Sequence, residues 1–171
     1  AVDEIIKSPA KKIVLDLRNN PGGYLEISRQ IASFFLEEGD LVASEDFGGK
    51  QENKMYLAQG SSVFSQTPMV VLINQGSASA AEILAGALRD DRQIKLIGET
   101  SFGKGSVQEL DNLDNGSTLK VTVAKWLTPK GESISEHGLT PDIAVEITDQ
   151  DYKDEKDPQL DKALEIISQM R

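Results

Sequence analysis

The residues best placed to do chemistry are two serines and a lysine, each in a small-residue loop that follows an apolar run. In "INQGSASAAEI" the run ends, Gly76 makes a turn, and a helix opens with Ser77 and Ser79 at the junction. A hydroxyl at the carboxyl end of a strand and near a helix N-terminus faces free backbone N–H groups, which can hold an oxyanion. The nucleophile turn of hydrolases works this way, although its G-x-S-x-G pattern is not reproduced. A structural reading competes. Ser79-Ala-Ala-Glu82 fits the S-x-x-E capping box, and Ser77 could equally be a cap.

A serine nucleophile needs a base. The single histidine, His137, lies in the polar stretch "SEHGLTPD" and reads as an exposed loop residue rather than a triad member. A lysine is the other choice, and Ser-Lys pairs are an established variant of triad logic. The amine must be neutral at the working pH. Its reference pKa is about 10.4, so burial has to lower it by several units. Lys104, in "GETSFGKGS", fits best. It is flanked by glycines and Phe102 and has no acidic neighbour in sequence until Glu109. Gln108, four residues on and uncharged, can orient the amine without restoring its charge.

The same loop resembles a phosphate-binding G-x-x-x-x-G-K-[ST] motif. Gly98, Gly103 and Lys104 match, but Gly105 stands where magnesium needs a hydroxyl. A P-loop also opens a helix, and "SVQELDNLDNGS" has no helical period before the hairpin signal Asn115-Gly116. A nucleotide site is therefore rejected.

Stepping outward, "KKIVLDL", "PMVVLINQ" and "QIKLIGE" read as buried strands, each followed by a turn or a helix. Leu25 to Leu36 recur at helical spacing, and Gly39 offers a stop. "SASAAEILAGALRDD" is a second helix, and "STLKVTVAKWLTP" alternates as a strand that could pair with an extended substrate. "LVASEDFGGKQENKMYLAQG" suggests two short strands, and "GLTPDIAVEIT" a last one. "TDQDYKDEKDPQ" reads as a solvated acidic linker before an amphipathic helix. The order predicts an α/β domain over residues 1–148, followed by linker and helix over 149–171.

The 171 residues suffice for one real core, and 39% are apolar. A net charge of −10 argues against nucleic acid and anionic lipid as partners. Cysteine is absent, which excludes disulfides and thiolate metal sites, and one histidine excludes a His-rich cluster. No cofactor or metal is expected. The opening "AVDEIIKSPAKK" reads as the interior of a longer protein, with no signal peptide and no spanning segment.

"DLRNNPGG", "NQGSASAAEILAGAL", "GETSFGKGSVQ" and "GLTPDI", in that order over roughly Lys11 to Val145, resemble the carboxyl-terminal processing, or tail-specific, proteases. The resemblance implies a crotonase-like or Clp-protease-like α/β core and a serine endopeptidase that trims proteins near unstructured C-termini. It implies Ser79 as nucleophile, Lys104 as base and Gln108 as its helper. The backbone N–H of Ala80, with that of Gly22 or Gly23, would form the oxyanion hole. Asp90 would be structural support. Ala81 stands where the common pattern has a serine. The resemblance further implies a PDZ domain elsewhere in the protein, possible homodimerisation, and work outside the cytoplasm, in the periplasm, cell envelope or a lumen. The alternatives from other classes are a non-catalytic peptide-binding module and an acyl-CoA enzyme of crotonase-like fold.

Overall fold

A computed structural model describes residues 2–114 and 116–170. Its centre is β4 (Met69–Ile73), whose five residues are all buried. β4 pairs in parallel with β1 (Ile13–Asp16) on one side and β5 (Lys95–Gly98) on the other. The two-residue β8 (Ile143–Ala144) extends the sheet beyond β5, giving the order β1-β4-β5-β8.

Successive side chains on a strand point to opposite faces. Met69, Val71 and Ile73 accordingly enter one core with Leu84 and Leu88 of α3 (Ala80–Arg92) and Ala32 of α2 (Leu25–Ala32). Val70 and Leu72 enter another with Ile97 and with Ala163 and Ile167 of α5 (Pro158–Gln169). This three-layer α/β arrangement is what a continuous apolar strand calls for. α5 is thus seated on the sheet. Asp157 caps it, accepting from the Leu160 N–H at 2.9 Å. The acidic stretch before it holds a short helix, α4 (Asp149–Lys153), capped by Thr148.

Three elements depart from the sequence reading. α2 stops at Ala32, because the Ser33 hydroxyl donates to the Arg29 carbonyl and accepts from the Gln59 N–H. Phe35 and Leu36 are buried in the turns that follow. "SVQELDN" is a strand, β6 (Ser106–Asn112), paired antiparallel with β7 (Thr118–Leu127). The predicted turn at Asn115 lies outside the described residues. Finally, β7 is interior. The second sheet runs β3-β2-β7-β6, with β2 at Leu41–Asp46 and β3 at Lys54–Leu57. β2 pairs only with Lys125–Leu127 of β7, so that end is flanked on both sides, whereas Thr118–Ala124 is paired with β6 on one side and with no strand among the described residues on the other. β6 is the outermost strand on its side of the sheet. A short helix, α1 (Val2–Lys7), precedes the sheets.

Candidate active site

The turn after β4 decides between the two serines. Ser77 is fully buried. Its hydroxyl donates to the Leu17 carbonyl at 2.8 Å and accepts from the Asn74 N–H at 3.0 Å. It is a structural brace. Ser79 is half-buried at the N-terminus of α3, with φ 56° and ψ −120°. A non-glycine residue there stores on the order of 1–3 kcal/mol of backbone strain, and such residues cluster at functional turns. The Ser79 N–H donates to Glu82 Oε2 at 2.8 Å, while the Glu82 N–H donates to the Ser79 carbonyl at 2.9 Å. The two residues stand in the capping-box arrangement, yet the Ser79 hydroxyl makes no cap hydrogen bond. Glutamate holds the backbone of the turn and leaves the hydroxyl uncommitted. Ala80 follows in the first turn of α3, where an N–H has no intrahelical acceptor.

The turn after β1 packs directly on this serine. A Cβ on Gly22 would lie 2.5 Å from the Ala78 carbonyl oxygen, 2.7 Å from the Ala80 nitrogen and 2.9 Å from Ser79 Cβ, and Gly22 has φ +91°. Only glycine permits that approach. Asn20 accepts the Ala78 N–H at 2.9 Å through its carbonyl and the Gly22 N–H at 2.9 Å through Oδ1. The Gly22 N–H is therefore engaged, leaving that of Gly23 as the donor this turn can offer. Beside the two glycines and Ala80 opens an apolar cavity of about 450 Å³, walled by Leu15, Leu17, Ile27, Ile31 and Leu84.

The lysine loop is tied to the serine turn by one carboxylate. Glu82, fully buried, accepts at Oε1 from the Ser101 hydroxyl (2.5 Å) and the Gly103 N–H (2.7 Å). Its Oε2 accepts the Lys104 N–H at 3.0 Å and, as above, that of Ser79. The backbones of Ser79 and Lys104 thus share a single acceptor atom. The Phe102 N–H adds a direct bond to the Ser77 carbonyl at 2.9 Å. The glycines around Lys104 are explained by the segment 134–138, which lies against them. A Cβ on Gly103 would meet the Gly138 nitrogen at 2.9 Å, and one on Gly105 would run into the Ser135 nitrogen. Gly105 therefore replaces the P-loop hydroxyl for steric reasons, and β6 follows where a P-loop would place a helix.

The side chains of this loop correct one expectation. Lys104 is exposed rather than buried, and Gln108, on β6 opposite Thr122, is exposed as well. His137 is an exposed loop residue, as the sequence suggests. Asp90 is not at the site. It sits about 16 Å along α3 from Ser79 at 1.5 Å per residue. There its buried carboxylate takes Arg89 Nε at 2.9 Å and the Lys130 N–H at 3.1 Å, bracing the Thr128–Gly131 turn. Sequence reasoning saw Glu82 only as a cap. Nothing in its spacing announces the link to the lysine loop. Among the described residues no three His, Asp or Glu side chains converge as a metal site would require.

The geometry thus joins a strained serine between a strand and a helix to backbone N–H groups on two sides and to a lysine loop bonded to its turn. The chain belongs to peptidase family S41, whose profile matches residues 1–145. It is 42% identical over 149 residues to the carboxy-terminal processing protease CtpA of Bacillus subtilis (strain 168), covering 87% of this chain and 32% of that protein. It is 40% identical over 171 residues to a carboxyl-terminal-processing protease of Synechocystis sp., covering 98% of this chain and 39% of the relative. The solved structure of a photosystem II D1 C-terminal processing protease superposes with a TM-score of 0.78 at 39% identity, over 85% of this chain and 37% of the other. The chain thus spans about a third of the length of these curated relatives.

Proposed function

We propose that this chain is the catalytic core of a serine endopeptidase that cleaves proteins near unstructured C-termini. The observation that carries the reading is the backbone of Ser79, held at φ 56° by Glu82 while its hydroxyl stays uncommitted. In this mechanism Lys104 Nζ, as the free amine, takes the Ser79 Oγ proton, and Oγ attacks the scissile carbonyl carbon. The oxyanion rests on the N–H groups of Ala80 and Gly23, each such donor contributing about 3 kcal/mol to the transition state. The C–N bond breaks as Lys104 returns the proton to the leaving amine. Water, deprotonated by the same amine, then hydrolyses the acyl-enzyme. Gln108 orients the amine.

Lys104 is exposed in the free chain, so the desolvation that favours a neutral amine comes from the bound substrate or from other parts of the protein. The apolar cavity beside Gly22 and Gly23 suits an uncharged side chain on the acyl side of the cut. In the same reading, a PDZ domain outside these residues presents the substrate tail, the full-length protein can dimerise, and the enzyme works outside the cytoplasm.

The test incubates the full-length protein, and its Ser79→Ala and Lys104→Ala forms, with an unstructured protein substrate. Wild type cleaves. Each substitution lowers kcat by a factor of about 10⁴ or more, as loss of a nucleophile or base does elsewhere. Undiminished cleavage by Ser79→Ala removes the mechanism. Binding without cleavage by wild type favours the peptide-binding alternative.

A further inference from the structure

Segment 149–171 lies beyond the residues matched by the family profile, yet α5 begins at the loops that carry the site. Arg18 follows β1 and immediately precedes the turn of Asn19 to Gly23, with its side chain only 13% exposed. Its guanidinium grips Asp157 with two prongs, Nη1 to Oδ1 and Nη2 to Oδ2, both at 2.8 Å. Nε and Nη2 hold Asp16 at 3.0 and 2.7 Å, and Nη1 reaches Gln159 Oε1 at 3.1 Å. Gln159, fully buried, donates to the Val145 carbonyl at 2.8 Å and reaches Glu99 Oε1 at 3.4 Å, at the start of the lysine loop. The first turn of α5 is therefore bonded to the carboxyl ends of β1, β5 and β8 together. In open α/β sheets that is the edge where sites form.

We propose that Asp157 is a positioning residue: through Arg18 it holds the Asn19–Gly23 turn against Ser79, so that α5 sets the oxyanion donors. The proposal rests on the peptidase reading of Ser79. A two-pronged arginine–carboxylate pair fixes direction as well as distance. Direction matters here because Asn19, the next residue, is held at φ +55°, a conformation that asparagine visits but does not prefer. Asn19 is further pinned by Asn74, whose Oδ1 accepts the Asn19 N–H at 2.8 Å. Without Asp157, Arg18 keeps Asp16 on its own strand and a single bond to Gln159, so the two-pronged tie to α5 is gone and Gly23 is held less firmly toward the substrate carbonyl. The pairing with Arg18 also holds the Asp157 carboxyl below the usual carboxylate range, against a smaller opposing effect of burial.

Asp157 also caps α5, and a cap alone would be a merely structural role. Asparagine caps a helix as well as aspartate does. It cannot offer Arg18 two anionic oxygens. The full-length protein is compared with its Asp157→Asn and Asp157→Ala forms. The measurements are kcat and KM on an unstructured protein, and amide hydrogen exchange across residues 19–23, read at Asn19, Asn20, Gly22 and Gly23 because Pro21 has no amide hydrogen. Both variants are expected to lose about ten- to a hundredfold in kcat, with KM within about twofold and faster exchange at 19–23. An Asp157→Asn form with wild-type kcat and exchange, beside an impaired Asp157→Ala, reduces Asp157 to a cap and overturns the proposal. Lost kcat with unchanged exchange at 19–23 also overturns it. Should the wild type itself not cleave, the peptidase reading fails, and the exchange at 19–23 alone decides the coupling: faster sustains it, unchanged ends it.

Discussion

The sheet around β4 and the hairpin of β6 and β7 are built on opposite terms. β4 is buried along its whole length, with helices on both faces. Beyond its first residues the hairpin is open on both faces, and Leu110 and Leu119 are more than half exposed. The two site loops divide between these regions. Ser79 leaves the buried sheet and arrives strained, bonded and packed under Gly22. Lys104 leads into the open hairpin and arrives exposed. The Ser79 side is held in place within this chain, whereas the Lys104 side is open. Glu82 is the seam, since its carboxylate accepts the backbone N–H groups of both Ser79 and Lys104.

Breaking the seam should have the largest effect. Glu82→Ala removes the acceptor of three N–H groups and the Ser101 hydroxyl in a fully buried place. Each buried donor left without its acceptor costs about 1–3 kcal/mol, so the loss of this one carboxyl should cost several kcal/mol. That is a large share of the ordinary 5–15 kcal/mol stability of a domain, or roughly that range. Glu82→Gln keeps the shape but turns an NH₂ toward backbone donors, so it should lose less stability and still lose cleavage. Urea denaturation and cleavage rates, measured on both, separate the effects. Wild-type behaviour of Glu82→Gln in both would mean that the negative charge of Glu82 is not what joins the loops.

Gly22→Ala tests the buried side alone. The new methyl meets backbone atoms of Ala78 and Ala80 at 2.5 and 2.7 Å and must sit at φ +91°. Relief requires the serine turn or the Asn-Asn-Pro-Gly-Gly turn to move. The expected stability loss is about 1–3 kcal/mol, the scale of a strained backbone position. Cleavage should fall further than stability predicts, because the same shift misplaces the Ala80 and Gly23 donors. The control is Gly23→Ala, whose Cβ meets nothing within 4 Å. Equal stability losses at the two glycines would contradict the close approach.

This contrast also governs what could be read in the sequence. β4, α3 and the strand before "GKG" were legible because burial writes itself as continuous or periodic apolar runs. The serine loop and the lysine loop were legible because glycines and small residues mark close approach. β6 was not, since a strand open on both faces has no buried side to impose alternation: Gln108, Glu109, Leu110 and Asp111 follow no pattern. The position of β7 inside its sheet was equally invisible, because pairing partners are not local. Lys104 shows the limit most clearly. Its neighbours in sequence are uncharged, which suggests burial, but exposure is set by the segments that fold over a loop, and among the described residues none covers this side chain. Glu82 was visible as a cap and silent as a bridge, since Ser101, Gly103 and Lys104 reach it from a distant part of the chain.

The smallest expected effect gives the sharpest test of the contrast, because it compares one residue type in the two regions. Leu72 on β4 is fully buried, and Leu110 on β6 is 66% exposed. Leu72→Ala deletes methyl groups from a packed core and should cost about 2–5 kcal/mol. Leu110→Ala removes little buried area and should stay within about 0.5 kcal/mol of wild type. Urea midpoints with unchanged m-values would establish both in this chain. A cost above about 1 kcal/mol at Leu110 would mean that the hairpin is covered in solution, because only burial makes a leucine truncation expensive. Repeating the pair in the full-length protein then asks whether another part of it covers the hairpin. A Leu110 effect that appears only there would place that covering segment next to the strand carrying Gln108, within reach of the lysine loop that this chain leaves exposed.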